Sequence, residues 1–91
     1  MKVNEKFLEK YLNSNSPTGF EYQLGGQKVW MDYISKFVDK VEIDNYGTAY
    51  GVMGNLDSDF KVVIEAHADE ISWFVHYIDS KGYIKVIRNG G

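Results

Sequence analysis

The residues best suited to chemistry lie in one short stretch, Ala66-His67-Ala68-Asp69-Glu70, directly after an apolar run. A neutral imidazole is a common metal ligand, and a nearby carboxylate orients the ring or raises its basicity. His67 and Asp69 are two residues apart, so in an extended backbone both side chains leave the same face, with Cα atoms roughly 6.5–7 Å apart. This spacing suits a metal-binding histidine with a supporting aspartate. It also suits a histidine that only hydrogen-bonds locally at the end of a strand.

The rest of the chain offers few further ligands. There is no cysteine, so a thiolate metal site and a disulfide framework are both excluded. A zinc site needs three or four protein ligands, and no complete set is visible in this sequence. Glu65 shares the strand parity of His67 and is a second candidate ligand. His76 lies in an aromatic-rich strand and is predicted to be structural, and Asp57 and Asp59 are predicted to be solvated loop charges.

Composition excludes several other classes of function. The 91 residues carry a formal net charge of −3, and the Lys and Arg residues form no cluster, which disfavours nucleic-acid binding. Acidic residues appear at once after Met1, and no apolar segment of the secretory type follows. No apolar run approaches the roughly 20 residues that a membrane span needs. We therefore expect a cytoplasmic protein with neither a nucleic-acid nor a membrane partner.

The elements that must position His67 begin with two predicted helices. Asn4 can cap a helix that runs to about Leu12, because its apolar residues fall at helical spacing. After a break rich in turn formers, Thr18 and Glu21 have capping-box spacing, which predicts a second helix from Thr18 to about residue 39. The pair Gly25-Gly26 falls inside that helix, where each glycine costs up to ~1 kcal/mol relative to alanine, so close packing or loose first turns are expected.

About five strands are predicted after the helices, at 41–44, 48–53, 61–66, 71–78 and 83–87. Residues 61–66 have the continuous apolar centre of a strand buried on both faces, with helix 27–39 packed against one of them. The fold class is therefore α/β. A central strand needs cover on both faces, and two helices cover only one. We therefore expect part of a larger domain that exposes a large apolar surface or buries it against another copy or chain.

Four motifs in this order resemble those of one enzyme family. They are Ser-Pro-Thr-Gly-Phe-Glu at 16–21, Asp-Asn-Tyr-Gly at 44–47, Val-Val-Ile-Glu-Ala-His-Ala-Asp-Glu-Ile at 62–71, and Gly90-Gly91 after a hairpin. Together they resemble the tetrahedral aminopeptidase family, whose members are also called glutamyl or deblocking aminopeptidase and sometimes cellulase M or endoglucanase. The resemblance spans nearly the whole chain. The Ala-His-x-Asp-Glu-Ile stretch is its most specific part, and Ser72-Trp73 departs from the more usual Gly-Phe that follows it.

The resemblance implies a fold and a dinuclear metal centre. It implies an α/β/α catalytic domain of a zinc-peptidase-like fold, with residues 1–91 as its N-terminal part, ending near the insertion point of a smaller β domain. Two divalent ions, zinc or cobalt, would share a bridging aspartate and a bridging water. His67 would ligate one ion, and Asp69 would be catalytic without being a ligand. The other ligands and the glutamate general base lie further along in the family.

The resemblance also implies an activity and an assembly. The full-length protein would remove N-terminal residues from peptides and assemble into large homo-oligomers. Residues 1–91 alone would be inactive and would hold no metal stably.

Two other functions stay open. The chain can be a non-catalytic assembly or binding module that pairs with another chain, as its aromatic residues and uncovered strand favour. The name endoglucanase suggests a glycoside hydrolase, which needs two carboxylates flanking the sugar bond at a defined separation. Asp69 and Glu70 are adjacent and would diverge in a strand, which argues against that chemistry.

Overall fold

The computed structural model describes residues 2–91, which contain two helices and four strands. The strands form two separate two-stranded antiparallel sheets, β1 with β2 and β3 with β4. This mixture of helix and strand is consistent with the predicted α/β class, with four strands where about five were predicted. The elements are α1 (Glu5–Leu12), α2 (Gly26–Ile34), β1 (Lys40–Ile43), β2 (Ala49–Val52), β3 (Ser72–Ile78) and β4 (Ile84–Asn89).

Helix α1 forms as its sequence predicts. The Asn4 side chain accepts a hydrogen bond from the Phe7 amide at 3.1 Å, which satisfies one of the free N–H groups of the first turn. Phe7 stacks on Tyr33 of α2 with ring centroids 4.0 Å apart, and the Asn4 amide donates to the Tyr33 hydroxyl at 3.1 Å. The cap and the apolar stripe therefore join the two helices.

Helix α2 begins at Gly26, so the prediction of a helix from Thr18 is wrong. The capping box does not form, because Glu21 accepts from the Gly19 amide at 3.0 Å and the Thr18 hydroxyl bonds to a distant carboxylate. Gly26 is buried against Ser16, and a Cβ there would lie 1.7 Å from the Ser16 hydroxyl oxygen. Close packing at the start of the helix thus explains this glycine.

The first hairpin packs against α2. Strands β1 and β2 pair with Val41 opposite Gly51, which confirms the two strands predicted here. Gly51 lies beneath α2 and the turn after it, and a Cβ there would lie 3.3 Å from both methyl groups of Val38 and 3.6 Å from Ile34. We call α1, α2, β1 and β2 the helical layer. The absence of a side chain at Gly51 allows its sheet to lie close to its helix.

The prediction of a central buried strand at 61–66 is wrong. The structure assigns no strand between Val52 and Ser72, and residues 61–66 make no backbone hydrogen bond within the described chain. Val63 and Ile64 are 83% and 94% exposed. Helix α2 packs on α1, β1 and β2 instead, so the predicted contact between helix 27–39 and this segment is also wrong. An apolar run becomes a buried strand only where neighbouring strands supply a ladder, and residues 2–91 supply none here.

Strands β3 and β4 form the second hairpin, confirming the strands predicted on either side of the turn at 79–82. Phe74 pairs with Ile87, and the register shifts between Val75 and Tyr77. The Asp79 carboxylate accepts from the amides of Lys81 and Tyr83 at 2.9 and 3.0 Å, which closes the turn. We call β3 and β4 the hairpin. Its large apolar side chains are exposed on both faces, since Trp73 and Phe74 point to opposite sides and are 63% and 45% exposed.

The chain is extended and exposes much apolar surface. Its accessible area is 7908 Å², whereas a compact protein of 10.5 kDa exposes about 5400 Å². Its radius of gyration is 17.3 Å, against about 12 Å for a compact domain of this length. Within residues 2–91 no apolar side chain is fully buried. The predicted apolar exposure is confirmed, and its cover by another copy or chain stays a prediction. Neither helix in these residues is both long and apolar enough to cross a membrane.

Candidate functional site

Three segments that are distant in sequence meet beside the His-x-Asp stretch. They are residues 16–18, 67–70 and 89–90, and we call them together the junction. Residues 16–18 run parallel to the second segment, with Pro17 opposite Glu70. The Glu70 amide donates to the Ser16 carbonyl at 2.7 Å, and the Ser16 amide donates to the Glu70 carboxylate at 3.2 Å. Ser16 is 5% exposed. Backbone pairing therefore anchors the otherwise unpaired segment 61–70 at its C-terminal end.

The two predicted site residues are in direct contact. His67 Nδ1 lies 3.1 Å from both the Asp69 carbonyl oxygen and Asp69 Oδ1. A carbonyl oxygen can only accept, so this arrangement assigns the proton to Nδ1. The side chain is 85% exposed. In the neutral ring with this tautomer, Nε2 is the nitrogen whose lone pair can bind a metal.

The second oxygen of Asp69 has its own partner. Thr18 Oγ1 donates to Asp69 Oδ2 at 2.7 Å, so the two carboxylate oxygens face two different groups. The hydrogen bond from Thr18, and after it the one from His67, lowers the pKa of Asp69 below its ordinary value of 3.8. Asp69 is therefore ionised at neutral pH and acts only as an acceptor.

The end of β4 closes the junction. Asn89 Nδ2 donates to the Thr18 carbonyl at 2.9 Å and to the Ser72 hydroxyl at 3.0 Å. Gly90 has φ +82°, and a Cβ there would lie 2.5 Å from Thr18 Oγ1. A side chain at position 90 would therefore occupy the space in which the Thr18 hydroxyl lies.

The other candidate residues lie outside this cluster of contacts. Glu65, Asp57 and Asp59 are exposed residues of the segment between β2 and β3. His76 is at the register shift of β3, where its ring packs edge-on against Tyr77 at 5.3 Å. In the part of the chain that the structure covers, no three His, Cys, Asp or Glu residues are grouped closely enough to hold a metal ion.

Sequence reasoning missed the polar groups that support Asp69. It assigned Thr18 to a helix cap, although its hydroxyl bonds to a carboxylate 51 residues away. It did not consider Asn89, whose amide reaches the Thr18 carbonyl across 71 residues. The available signal was the set of motifs at 16–21, 62–71 and 90–91, because all three contribute to the junction.

The donor chemistry of the junction fits one ligand of a divalent ion. A neutral imidazole with a free Nε2 and a carboxylate on Nδ1 is the usual arrangement of a metal-binding histidine. A zinc site takes three or four protein ligands, so the remaining donors would have to come from residues outside this cluster. The junction is therefore suited to contribute a single metal ligand.

The comparisons with known proteins find aminopeptidases among the proteins similar to this chain. No protein-family model matches the chain. A lysyl aminopeptidase of Pyrococcus furiosus is 31% identical over 94 residues, covering 98% of this chain and 25% of that protein. A provisionally named aminopeptidase of Acetivibrio thermocellus is 29% identical over 84 residues, covering 92% of this chain and 24% of that protein.

The chain is homologous to aminopeptidases. It spans about a quarter of the length of these relatives. Both relatives are named as aminopeptidases. The relatives' names do not specify which groups carry out the reaction, so the roles of His67 and Asp69 stay predictions.

Proposed function

We propose that this chain is the N-terminal portion of a dinuclear metal-dependent aminopeptidase of the tetrahedral type. The observation that carries the proposal is the contact between His67 Nδ1 and Asp69, which leaves Nε2 able to bind a metal. Similarity to two aminopeptidases over nearly the whole chain supports the reaction class. The proposed fold is an α/β/α catalytic domain of the zinc-peptidase type, with residues 1–91 ending near the insertion point of a smaller β domain.

Each residue of the pair has a separate role in this proposal. His67 supplies one metal ligand through Nε2, while Asp69 accepts a hydrogen bond from Nδ1–H and holds the ring plane. When bound, two zinc or cobalt ions supply polarisation of the scissile carbonyl and activation of water at neutral pH. The remaining ligands and a glutamate general base belong to the rest of the full-length enzyme. Residues 1–91 alone are inactive and hold no metal stably.

The proposed substrate is a peptide with a free N-terminus. The Pyrococcus furiosus relative is named as a lysyl aminopeptidase, which makes N-terminal lysine the first residue to test among others. The full-length enzyme is proposed to be cytoplasmic and homo-oligomeric.

Two substitutions in the full-length enzyme test these roles. His67→Ala should remove one metal equivalent together with activity, because it deletes a ligand. Asp69→Asn should remove most activity while metal occupancy stays nearly full, because Asp69 acts through the imidazole. Elemental analysis and release of the N-terminal residue from short peptides measure the two effects. His76→Ala is the matched control and should change neither quantity.

The result that would overturn the assignment is equally specific. If Asp69→Asn strips a metal as completely as His67→Ala does, Asp69 belongs among the ligands. If His67→Ala leaves both metals and activity in place, the metal site does not include this motif. Activity on a cellulose derivative and none on peptides would favour the glycoside hydrolase. That alternative has little support, because the Asp69 carboxylate is engaged by Thr18 and His67, and that of Glu70 by the Ser16 amide.

An assembly module is the second candidate function. It is favoured by the exposed apolar residues of the hairpin and of segment 61–66. Sedimentation of the 91-residue chain over a range of concentrations tests it. A stable complex, together with a full-length protein that has no peptidase activity, would support the module over the enzyme.

A further inference from the structure

We propose that Thr18 is a positioning residue for the candidate metal site, acting on His67 through Asp69. The inference rests on the proposed function, since it assumes that His67 is a ligand. It goes beyond that function by assigning a role to a hydroxyl group 49 positions before the histidine, on a different segment of the junction.

The geometry of the carboxylate is the first step. A carboxylate held through one oxygen can still rotate about its Cβ–Cγ bond. Asp69 is held through both, by Thr18 Oγ1 on Oδ2 at 2.7 Å and by His67 Nδ1 on Oδ1 at 3.1 Å. The Thr18 hydroxyl must donate, because an ionised carboxylate can only accept. The hydroxyl therefore fixes the plane in which Oδ1 faces the imidazole.

The second step is that Thr18 itself is held on several sides. Its carbonyl accepts from Asn89 Nδ2 at 2.9 Å, and its neighbour Ser16 is paired with Glu70 through two hydrogen bonds. The missing side chain at Gly90 makes the space for Oγ1. A polar group positions a ligand only as well as its own support is fixed. Here the support is one backbone hydrogen bond and two hydrogen bonds made by the side chains of Asn89 and Glu70.

The third step concerns what remains when the hydroxyl is removed. His67 Nδ1 would still face the Asp69 carbonyl oxygen, which lies at the same 3.1 Å distance as the carboxylate. The Nδ1–H group would then lose one of its two acceptors. The Nδ1–H tautomer would become less populated but would still be present. Removing a group that supports a metal ligand typically costs 10–100-fold in metal affinity or activity. Thr18 contacts the supporting carboxylate and not the ligand itself, so we expect removal of its hydroxyl to lower metal affinity by about 3- to 10-fold.

The tautomer of His67 gives a readout that does not depend on metal or on activity. Nitrogen-15 spectra of histidine-labelled 91-residue chain, recorded at a pH where the rings are neutral, report the Nδ1–H fraction. The chain has two histidines, so His67→Gln assigns the signals. The unmodified chain and Thr18→Ser should show the Nδ1–H form. Thr18→Val and Thr18→Ala should both shift toward a mixture of the two tautomers.

Metal affinity of the full-length enzyme gives the second readout. Thr18→Val should weaken Zn²⁺ binding about 3- to 10-fold, while Thr18→Ser stays within about twofold. In an Asp69→Asn background, Thr18→Val should have no further effect, because the path from the hydroxyl to the ring is already broken.

Several outcomes would overturn the inference. Unchanged tautomers in both Thr18→Val and Thr18→Ala would show that the hydroxyl does not position Asp69. Thr18→Ser keeps the hydroxyl and removes only the methyl group, so an equal loss of Zn²⁺ affinity in this variant would show that the effect comes from packing. If Thr18→Val weakens Zn²⁺ binding by the same factor in the Asp69→Asn background, the effect of Thr18 does not pass through Asp69. If His67→Gln leaves Zn²⁺ affinity unchanged, the proposed function fails, and the tautomer measurement still decides the role of Thr18.

Discussion

Similar apolar sequences are covered by other side chains in the helical layer and remain exposed in the hairpin. In the helical layer, Phe7 stacks on Tyr33 and the sheet lies close to α2 at Gly51, so apolar side chains cover one another. In the hairpin, apolar residues alternate onto both faces, and neither helix of residues 2–91 packs against it. Among the described residues, the ring of Phe20, 5.9 Å from that of Phe74, makes the only aromatic contact between the hairpin and the chain before it.

This difference shows which parts of the chain have their apolar side chains packed against other residues of 2–91. A two-stranded hairpin is marginal in water by itself, and further strands or a helix are needed to stabilise it. The helical layer has that cover and the hairpin does not. The candidate chemistry lies between them, since the junction joins the loop before α2 to the end of β4. The site therefore depends on how firmly the less covered region is held.

The largest expected effect comes from matched truncations in the helical layer and in the uncovered segment before the hairpin. Phe7→Ala should lower the free energy of unfolding by about 1–3 kcal/mol, less than the ~3–5 kcal/mol of a fully buried phenylalanine, because Phe7 is only half-buried. Phe60→Ala removes the same atoms from a side chain that is 80% exposed and should change it by less than about 0.5 kcal/mol. Urea unfolding followed by circular dichroism measures both.

A third truncation sharpens that comparison. Ile64 is 94% exposed, so Ile64→Ala should also have little effect on the isolated chain. A loss of about 2 kcal/mol or more would mean that segment 61–66 is covered in solution. If that loss depends on protein concentration, a second copy supplies the cover.

Two glycines with nearly the same φ test the junction. Alanine at either Gly82 (φ +84°) or Gly90 (φ +82°) carries a backbone cost of about 1–2 kcal/mol. Gly82 has no neighbour within 4 Å of a Cβ, whereas at Gly90 the Cβ would lie 2.5 Å from Thr18 Oγ1. Gly90→Ala should therefore cost about 1 kcal/mol more than Gly82→Ala, unless Thr18 rotates and abandons Asp69.

The measurement for this pair combines unfolding with amide spectra. The Thr18 and Asp69 signals should move in Gly90→Ala and stay in place in Gly82→Ala. Equal costs with unmoved junction signals in both variants would show that Gly90 has no special contact with Thr18.

The smallest effect is a pH dependence within the helical layer. Hydrogen bonds from Lys40 and then from Tyr50 lower the pKa of Glu42 below its ordinary value of 4.5. A carboxyl with a lowered folded pKa contributes stability above its unfolded pKa and loses that contribution as the pH falls through the folded pKa. The thermal midpoint should therefore decline below about pH 4.5 in part through Glu42.

Glu42→Gln should remove this part of the acid dependence. The effect should be small and weaker at high salt, because the pair between Lys40 and Glu42 is solvent-exposed. Glu65→Gln, in the uncovered segment, is the control and should leave the acid dependence in place. Melting curves between pH 3 and 7 distinguish the two variants. Identical curves would show that Glu42 does not contribute to the acid dependence of stability.

Short-range patterns were sufficient where the chain forms structure with its own neighbours. The Asn4 cap and apolar stripe determine α1, and alternation with turn residues determines both hairpins, because all the partners lie close in sequence, with Ser72 and Asn89 the most distant pair at 17 residues. The contact between His67 and Asp69 belongs to the same class, since two residues of extended backbone bring the side chains together. Their roles toward a metal are a separate matter and stay predictions.

Only the tertiary structure decided the features that depend on distant partners. The apolar run 61–66 has the composition of a central strand, but a strand exists only where another backbone pairs with it. Thr18 and Glu21 have capping-box spacing, yet the Thr18 hydroxyl finds a charged acceptor on Asp69 and the helix starts at Gly26. A hydroxyl makes a stronger hydrogen bond with a charged carboxylate than with a backbone amide. Only the folded chain brings the Asp69 carboxylate within reach of Thr18.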